Sequence, residues 1–110
     1  MEQVNGDLFS YSVVAGEIVT LSITPMGVGN FATVVINGAS QAKAFSYSLN
    51  ADGPSGREHN MVVECEFPGI ADPDARYDIT VEGSAGGSPF SFSISNSNTL
   101  KEAAFRFTVR

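Results

Sequence analysis

The stretch FSYSVVAGEIVTLSIT, Phe9 to Thr24, decides the fold. Phe9, Tyr11 and Val13 share one parity, Val19, Leu21 and Ile23 share one parity in the second run, and serines and threonines fill most places between. A repeat of two is that of a strand with one face in a core and the other in water. Ala15-Gly16-Glu17 interrupts the alternation with a turn glycine, so the stretch predicts an antiparallel hairpin.

The same device recurs along the rest of the chain. RYDITVEG, residues 76–83, has the clearest alternation, with Tyr77, Ile79 and Val81 inward and Arg76, Asp78, Thr80 and Glu82 outward. AKAFSYSL (42–49) places Phe45, Tyr47 and Leu49 on one face, MVVECEF (61–67) does so with Met61, Val63, Cys65 and Phe67, and PFSFSIS (89–95) with Phe90, Phe92 and Ile94. AFRFTVR (104–110), with Phe105, Phe107 and Val109 inward, closes the chain, and FATVVI (31–36), apolar at both parities, reads as a central strand covered on both faces or one near the middle of the sandwich. Asn37-Gly38 supplies a type I′ turn signal, since both residue types tolerate positive φ. Residues 1–7 read as a polar leader, and TLKEAA (99–104) as at most one helical turn. The expectation is an all-β fold: a single antiparallel β-sandwich, jelly-roll or Ig-like, of about eight strands, with residues 1–110 as one domain. A chain of 110 residues buries about two thirds of its unfolded surface, enough for one core without staples.

The formal charge is −6, from twelve acidic against six basic residues, and no basic cluster interleaved with aromatics occurs. That argues against nucleic acid, whose binding rests on cationic neutralisation of phosphates, and against anionic membranes. No apolar run approaches the ~18 residues of a membrane helix, so no membrane insertion is expected, and no targeting signal is visible. Cys65 is the single cysteine and shares parity with apolar neighbours, which makes it a buried thiol.

Catalytic signals do not rise above background. No serine sits in G-x-S-x-G, Glu64 and Glu66 lie on one strand face with no sign of a pocket, and the only histidine, His59, falls in a polar loop. The expectation is a protein that is not an enzyme, with no cofactor. Asp72, Asp74 and Asp78 in ADPDARYD, and Asn50 with Asp52, offer oxygens of the kind calcium takes. Neither stretch has the spacing of a calcium loop, and position 12 from Asn50 is Met61 where that loop has glutamate, so no metal site is assigned and Asp72 and Asp74 stand only as weak candidates.

Binding falls instead to NADGPSGREHN, residues 50–60, the longest polar stretch. It offers Asp52, Arg57, Glu58 and His59, and Arg57 is the best anchor because its planar fork binds a carboxylate or sugar hydroxyls at two points. If successive strands alternate direction, residues 25–30, 50–60 and 83–88 share one end, and 15–17, 37–41, 68–75 and 96–103 the other.

The order of an aromatic strand, Ala-Gly, V-x-L-x-I-x-P (FSYSVVAGEIVTLSITP), then Y-x-I-x-V (YDITV) and a closing aromatic strand resembles the bacterial pre-peptidase C-terminal domain over about half the chain. The strand pattern is also similar to that of periplasmic lysozyme inhibitors. The first resemblance implies a compact, non-catalytic accessory module of a secreted or periplasmic protein, made as part of a longer precursor and acting in targeting, matrix or polysaccharide binding. Where that family has an acidic D-x-D-L stretch, this chain has FATVVINGAS with no carboxylate, and no functional residue carries over. The expected partner is a protein or a carbohydrate. The alternative is a structural or assembly subunit, or a small protein inhibitor, acting through sheet edges or loops.

Overall fold

A computed structural model describes residues 1–28, 32–67 and 72–110. Among them are ten strands and no helix: β1 (Glu2–Gln3), β2 (Ser10–Val13), β3 (Glu17–Met26), β4 (Thr33–Ile36), β5 (Ala39–Ser40), β6 (Ser46–Ala51), β7 (Glu58–Glu64), β8 (Arg76–Gly83), β9 (Phe90–Ser95) and β10 (Glu102–Val109). They form a six-stranded sheet in the order β1-β2-β10-β7-β4-β5 and a four-stranded sheet in the order β6-β3-β8-β9. All pairs are antiparallel except β2 with β10, which run parallel with Tyr11 opposite Phe107 and Val13 opposite Val109.

The opening stretch is therefore not a hairpin. β2 lies in the larger sheet and β3 in the smaller, and residues 14–16 carry the chain across the core. Two strands that face one core from opposite sheets carry the same alternation as two hairpin partners, so period two identifies the buried face and leaves the hydrogen-bonding neighbour open. Tyr11 and Val13 from the larger sheet and Val19, Leu21 and Ile23 from the smaller all belong to one cluster of buried residues. A second expected hairpin gives way similarly. Asn37 and Gly38 do turn the chain with φ of 48° and 79°, but the return is only β5, because ASQAK offers few apolar residues to a core. The chain then crosses to the smaller sheet, where β6 pairs with β3.

Other expectations shift with these pairings. The strand count is ten instead of eight, the larger sheet is mixed, and β1 turns part of the polar leader into an edge strand. Residues 102–104 belong to β10, so no helical turn forms there. β4 buries Val34 and leaves Val35 and Ile36 half-buried, which makes it one-sided; Phe31 lies outside the described residues. β3 runs through Pro25, which tolerates the position because its nitrogen faces the side on which β6 has already ended. Glu64 is exposed on β7, an interior strand between β10 and β4.

Aromatic rings tie the layers together on the β2, β9 and β10 side. Phe9 meets Phe90, Phe92 and Phe105 edge-on at centroid distances of 5.2–5.8 Å, and Tyr11 stacks on Phe107. Phe105 and Phe107 are fully buried, Phe9, Phe90 and Phe92 partly so, and Phe45, which the alternation places inward, is 58% exposed at the start of β6.

Cys65 is buried just past β7, and its burial pushes the thiol pKa up to about 12. The native protein is expected to react with a thiol reagent at least about tenfold more slowly than the denatured chain at neutral pH. Equal rates would show that Cys65 is accessible.

Candidate functional site

The strand directions assign the connections to two ends. With β2 taken as running up, β3 runs down, β4 up, β5 down, β6 up, β7 down, β8 up, β9 down and β10 up. Residues 14–16, 37–38, 52–57 and 84–89 thus share the upper end with Met1 and Arg110. The two-residue β5 inverts the expected parity of everything before it: residues 15–17 and 37–38 lie with the 50–60 loop instead of opposite it, and residues 27–28 lie at the far end. The 50–60 and 83–88 connections do share an end.

His59 is the centre of this end. It belongs to β7 and is only 5% exposed, sharing parity with buried Met61 and Val63. Asn37 Oδ1 accepts the Asn60 N–H at 2.8 Å, which orients the Asn37 amide so that its Nδ2 donates to His59 Nδ1 at 3.0 Å. His59 Nε2 then donates to the Asp52 carbonyl at 2.8 Å. The ring is a spacer with both nitrogens committed, which holds the 37–38 turn and the start of the 52–57 loop in register. It is not placed to act as a free base or a metal ligand.

The loop above it is pinned at several points. The Arg57 N–H donates to the Pro54 carbonyl at 3.0 Å, the Gly56 N–H to the Val109 carbonyl at 2.7 Å, and the Val109 N–H to the Arg57 carbonyl at 2.9 Å. The Arg57 stem lies across Gly53, where a Cβ would meet Arg57 Cδ, so glycine is what lets the side chain lie flat. Asp52, Arg57 and Glu58 are exposed, and among the described residues the Arg57 guanidinium has no ion pair or side-chain hydrogen bond. Of the four anticipated contact residues, the structure gathers all at one end, three facing solvent and His59 beneath them.

A second buried polar group stands beside them. Glu17 is 2% exposed; its Oε2 accepts from the Met1 amino group at 2.6 Å and the Ala85 N–H at 3.3 Å, its Oε1 from the Val14 N–H at 3.1 Å. Burial works to raise its pKa; the bonds from the Met1 ammonium and from Val14 and Ala85 together outweigh it and hold the carboxyl below its ordinary value. Glu17 thereby ties the 14–16 crossing to the 84–87 turn. The sequence reading passed over it, though Glu17 shares parity with Val19, Leu21 and Ile23 and so stands on the buried face.

The acidic connection lies at the opposite end. Asp72 Oδ1 accepts the Asp74 N–H at 2.9 Å in a turn, while Asp78 points outward from β8, bonded to the Ser93 hydroxyl at 2.6 Å and to Arg76 at 2.9 Å. Those two partners hold the Asp78 carboxyl below its usual range, the Ser93 bond foremost. Among the described residues no three of His, Cys, Asp and Glu converge as a metal site; residues 68–71 of this connection lie outside them. No helix among the described residues is long and apolar enough to cross a membrane. No family model, no curated protein and no solved structure matches this chain.

Proposed function

We propose that this chain is a non-catalytic binding or accessory module, a single β-sandwich domain of the jelly-roll or Ig-like kind, carried by a secreted or periplasmic bacterial protein. Strands that pass repeatedly from one sheet to the other over a shared core are what such sandwiches are made of, which supports that reading. The partner, a protein or a polysaccharide, meets the end built by residues 52–57 with the 37–38 and 84–87 turns, and the contacts come from Asp52, Arg57 and Glu58.

One observation carries the proposal: an exposed guanidinium without a partner among the described residues sits on a loop fixed from below by His59 and from the side by β10. A loop ordered in advance loses little entropy on binding, so its contacts count nearly in full. A planar fork flanked by the Asp52 and Glu58 carboxylates suits vicinal hydroxyls or a peptide carboxylate with a neighbouring donor.

The test is retention of the protein on immobilised polysaccharides and on cell-envelope fractions, followed by titration of whichever binds. Arg57→Ala and Asp52→Ala are expected to weaken binding by about tenfold or more, as the loss of a charge-assisted hydrogen bond implies. Asp72→Ala at the far end should leave it unchanged. Binding that survives the first two substitutions and fails with the third would move the recognition surface to the other end.

A further inference from the structure

We infer that the chain associates with a second copy of itself through the free edge of β9, the two β9 strands pairing antiparallel about a two-fold axis so that their four-stranded sheets become continuous. The inference concerns the side of the molecule and does not depend on the proposal for the 52–57 end.

The backbone shows which groups are free. The Asn96 N–H donates to the Ala75 carbonyl at 2.9 Å, and bonded positions recur at every second residue of an antiparallel pair. Ile94, Phe92 and Phe90 therefore bond to β8, and Ser91, Ser93 and Ser95 direct their N–H and C=O groups away from it. The Ser95 N–H is taken by Asn98 Oδ1 at 3.2 Å, whereas for Ser91 and Ser93 no strand among the described residues lies on that side. An open ladder of this kind is a template for another strand.

Sheet edges are ordinarily blunted by charge, proline or shortness. β1 and β5 are two residues each, and β1 carries Glu2. β9 has six residues, FSFSIS, and no charge. The edge strand β6 is also uncharged, but its core-facing Tyr47, Leu49 and Ala51 are buried, so pairing there would cover little apolar surface. On β9 the core-facing Phe90 and Phe92 remain partly exposed, and an added strand would cover their open side.

Two features select a second copy as the occupant. Chains of net charge −6 repel, and a neutral strip is where two of them can approach closely. The strip is also self-complementary: with Phe92 opposite the partner's Phe92, Ser91 stands opposite the partner's Ser93 and Phe90 opposite the partner's Ile94. In this register the serines are the bonded pairs and the apolar residues the closer, non-bonded pairs. A six-residue strand spans about 20 Å, which places the interface at the small end of specific contacts and makes the dimer concentration-dependent.

Sedimentation velocity from about 10 µM to about 1 mM, the range in which so small an interface dissociates, is expected to show a monomer passing to a dimer. Over the same range amide exchange at Ser91 and Ser93 should slow by about tenfold. Ser93→Pro removes an outward N–H that β8 does not use, and Ser91→Lys places a charge on the edge; each should leave the protein monomeric at every concentration with its circular dichroism unchanged. Ser48→Pro on β6, the matching change on the opposite edge, should leave the dimer intact. A protein monomeric throughout, a dimer that persists in natively folded Ser93→Pro or Ser91→Lys, or one lost only with Ser48→Pro, would each overturn the inference. Larger open-ended polymers would do so too, because a two-fold β9 contact closes at two copies.

Discussion

Glu17→Gln is expected to lower the unfolding free energy by about 3 kcal/mol, as breaking a buried ion pair from one side does. The substitution keeps the side chain's shape and leaves an amide oxygen that can still accept from Val14 or Ala85, so what it removes is chiefly the charge. The Met1 amino group, bonded otherwise to the Gly86 carbonyl, is then a buried cation without its counter-charge. Space offers no escape, because Gly83 stands so close that even a Cβ there would run into the Glu17 carboxylate. The pH dependence follows from the direction of the shift. The folded-state pKa of Glu17 lies below its unfolded value, so its contribution is complete above the ordinary glutamate range of about 4.3 and is lost as pH falls through the folded pKa. Denaturant melts at pH 7 and across the acid limb test both parts: the variant should be weaker at neutral pH and lose less on acidification. A variant within about 0.5 kcal/mol of the parent at pH 7, where ordinary surface substitutions fall, would show that the carboxylate is not structural.

Glu17 and His59 also show what was legible beforehand. The alternation in RYDITVEG and AFRFTVR identified the buried faces of β8 and β10 correctly, because burying one face of a strand forces that pattern whatever lies beside it. Continued two residues further back it also reaches Glu17 from Val19 and His59 from Met61, so the polar residues that organise the upper end were marked by parity. Glu17 was passed over, and His59 was placed in the loop, because a glutamate after a glycine and a histidine beside Arg57 and Glu58 have the composition of turns and loops. Partner choice was a different matter. Nothing in FSYSVVAGEIVTLSIT separates a hairpin from a crossing between sheets, since the energetic difference lies in contacts with β10 and β6, far away in the chain. A two-residue strand such as β5 leaves no periodic signal at all, yet it reversed the parity of the loops before it. The functional proposal depends on that reversal, for it brings the Asn37 turn beneath the loop that holds Arg57.

Phe105→Ala should destabilise the fold by about 3–5 kcal/mol, the cost of deleting a fully buried aromatic ring. A domain of this size has only about 5–15 kcal/mol in hand, so the variant would be close to unfolding at 37 °C. The reason is its place between layers. β10 lies inside the larger sheet between β2 and β7, and the Phe105 ring meets Phe9 at 5.2 Å, Phe107 at 6.3 Å and, across in the smaller sheet, Phe92 at 5.9 Å. Removing it leaves a cavity that β10 cannot close by shifting, because strands hold it on both sides. Phe92 sits on an edge strand that can relax and is already partly exposed, so Phe92→Ala should cost about half as much. Denaturation followed at low micromolar protein, where association through β9 adds nothing to apparent stability, gives both values from the midpoint and slope. Equal losses for the two variants would mean that the β9 side is as tightly packed as the middle of the core. That result would also weaken the case for an exposed apolar edge at β9, since a ring costing as much as Phe105 has no open side left for a second copy to cover.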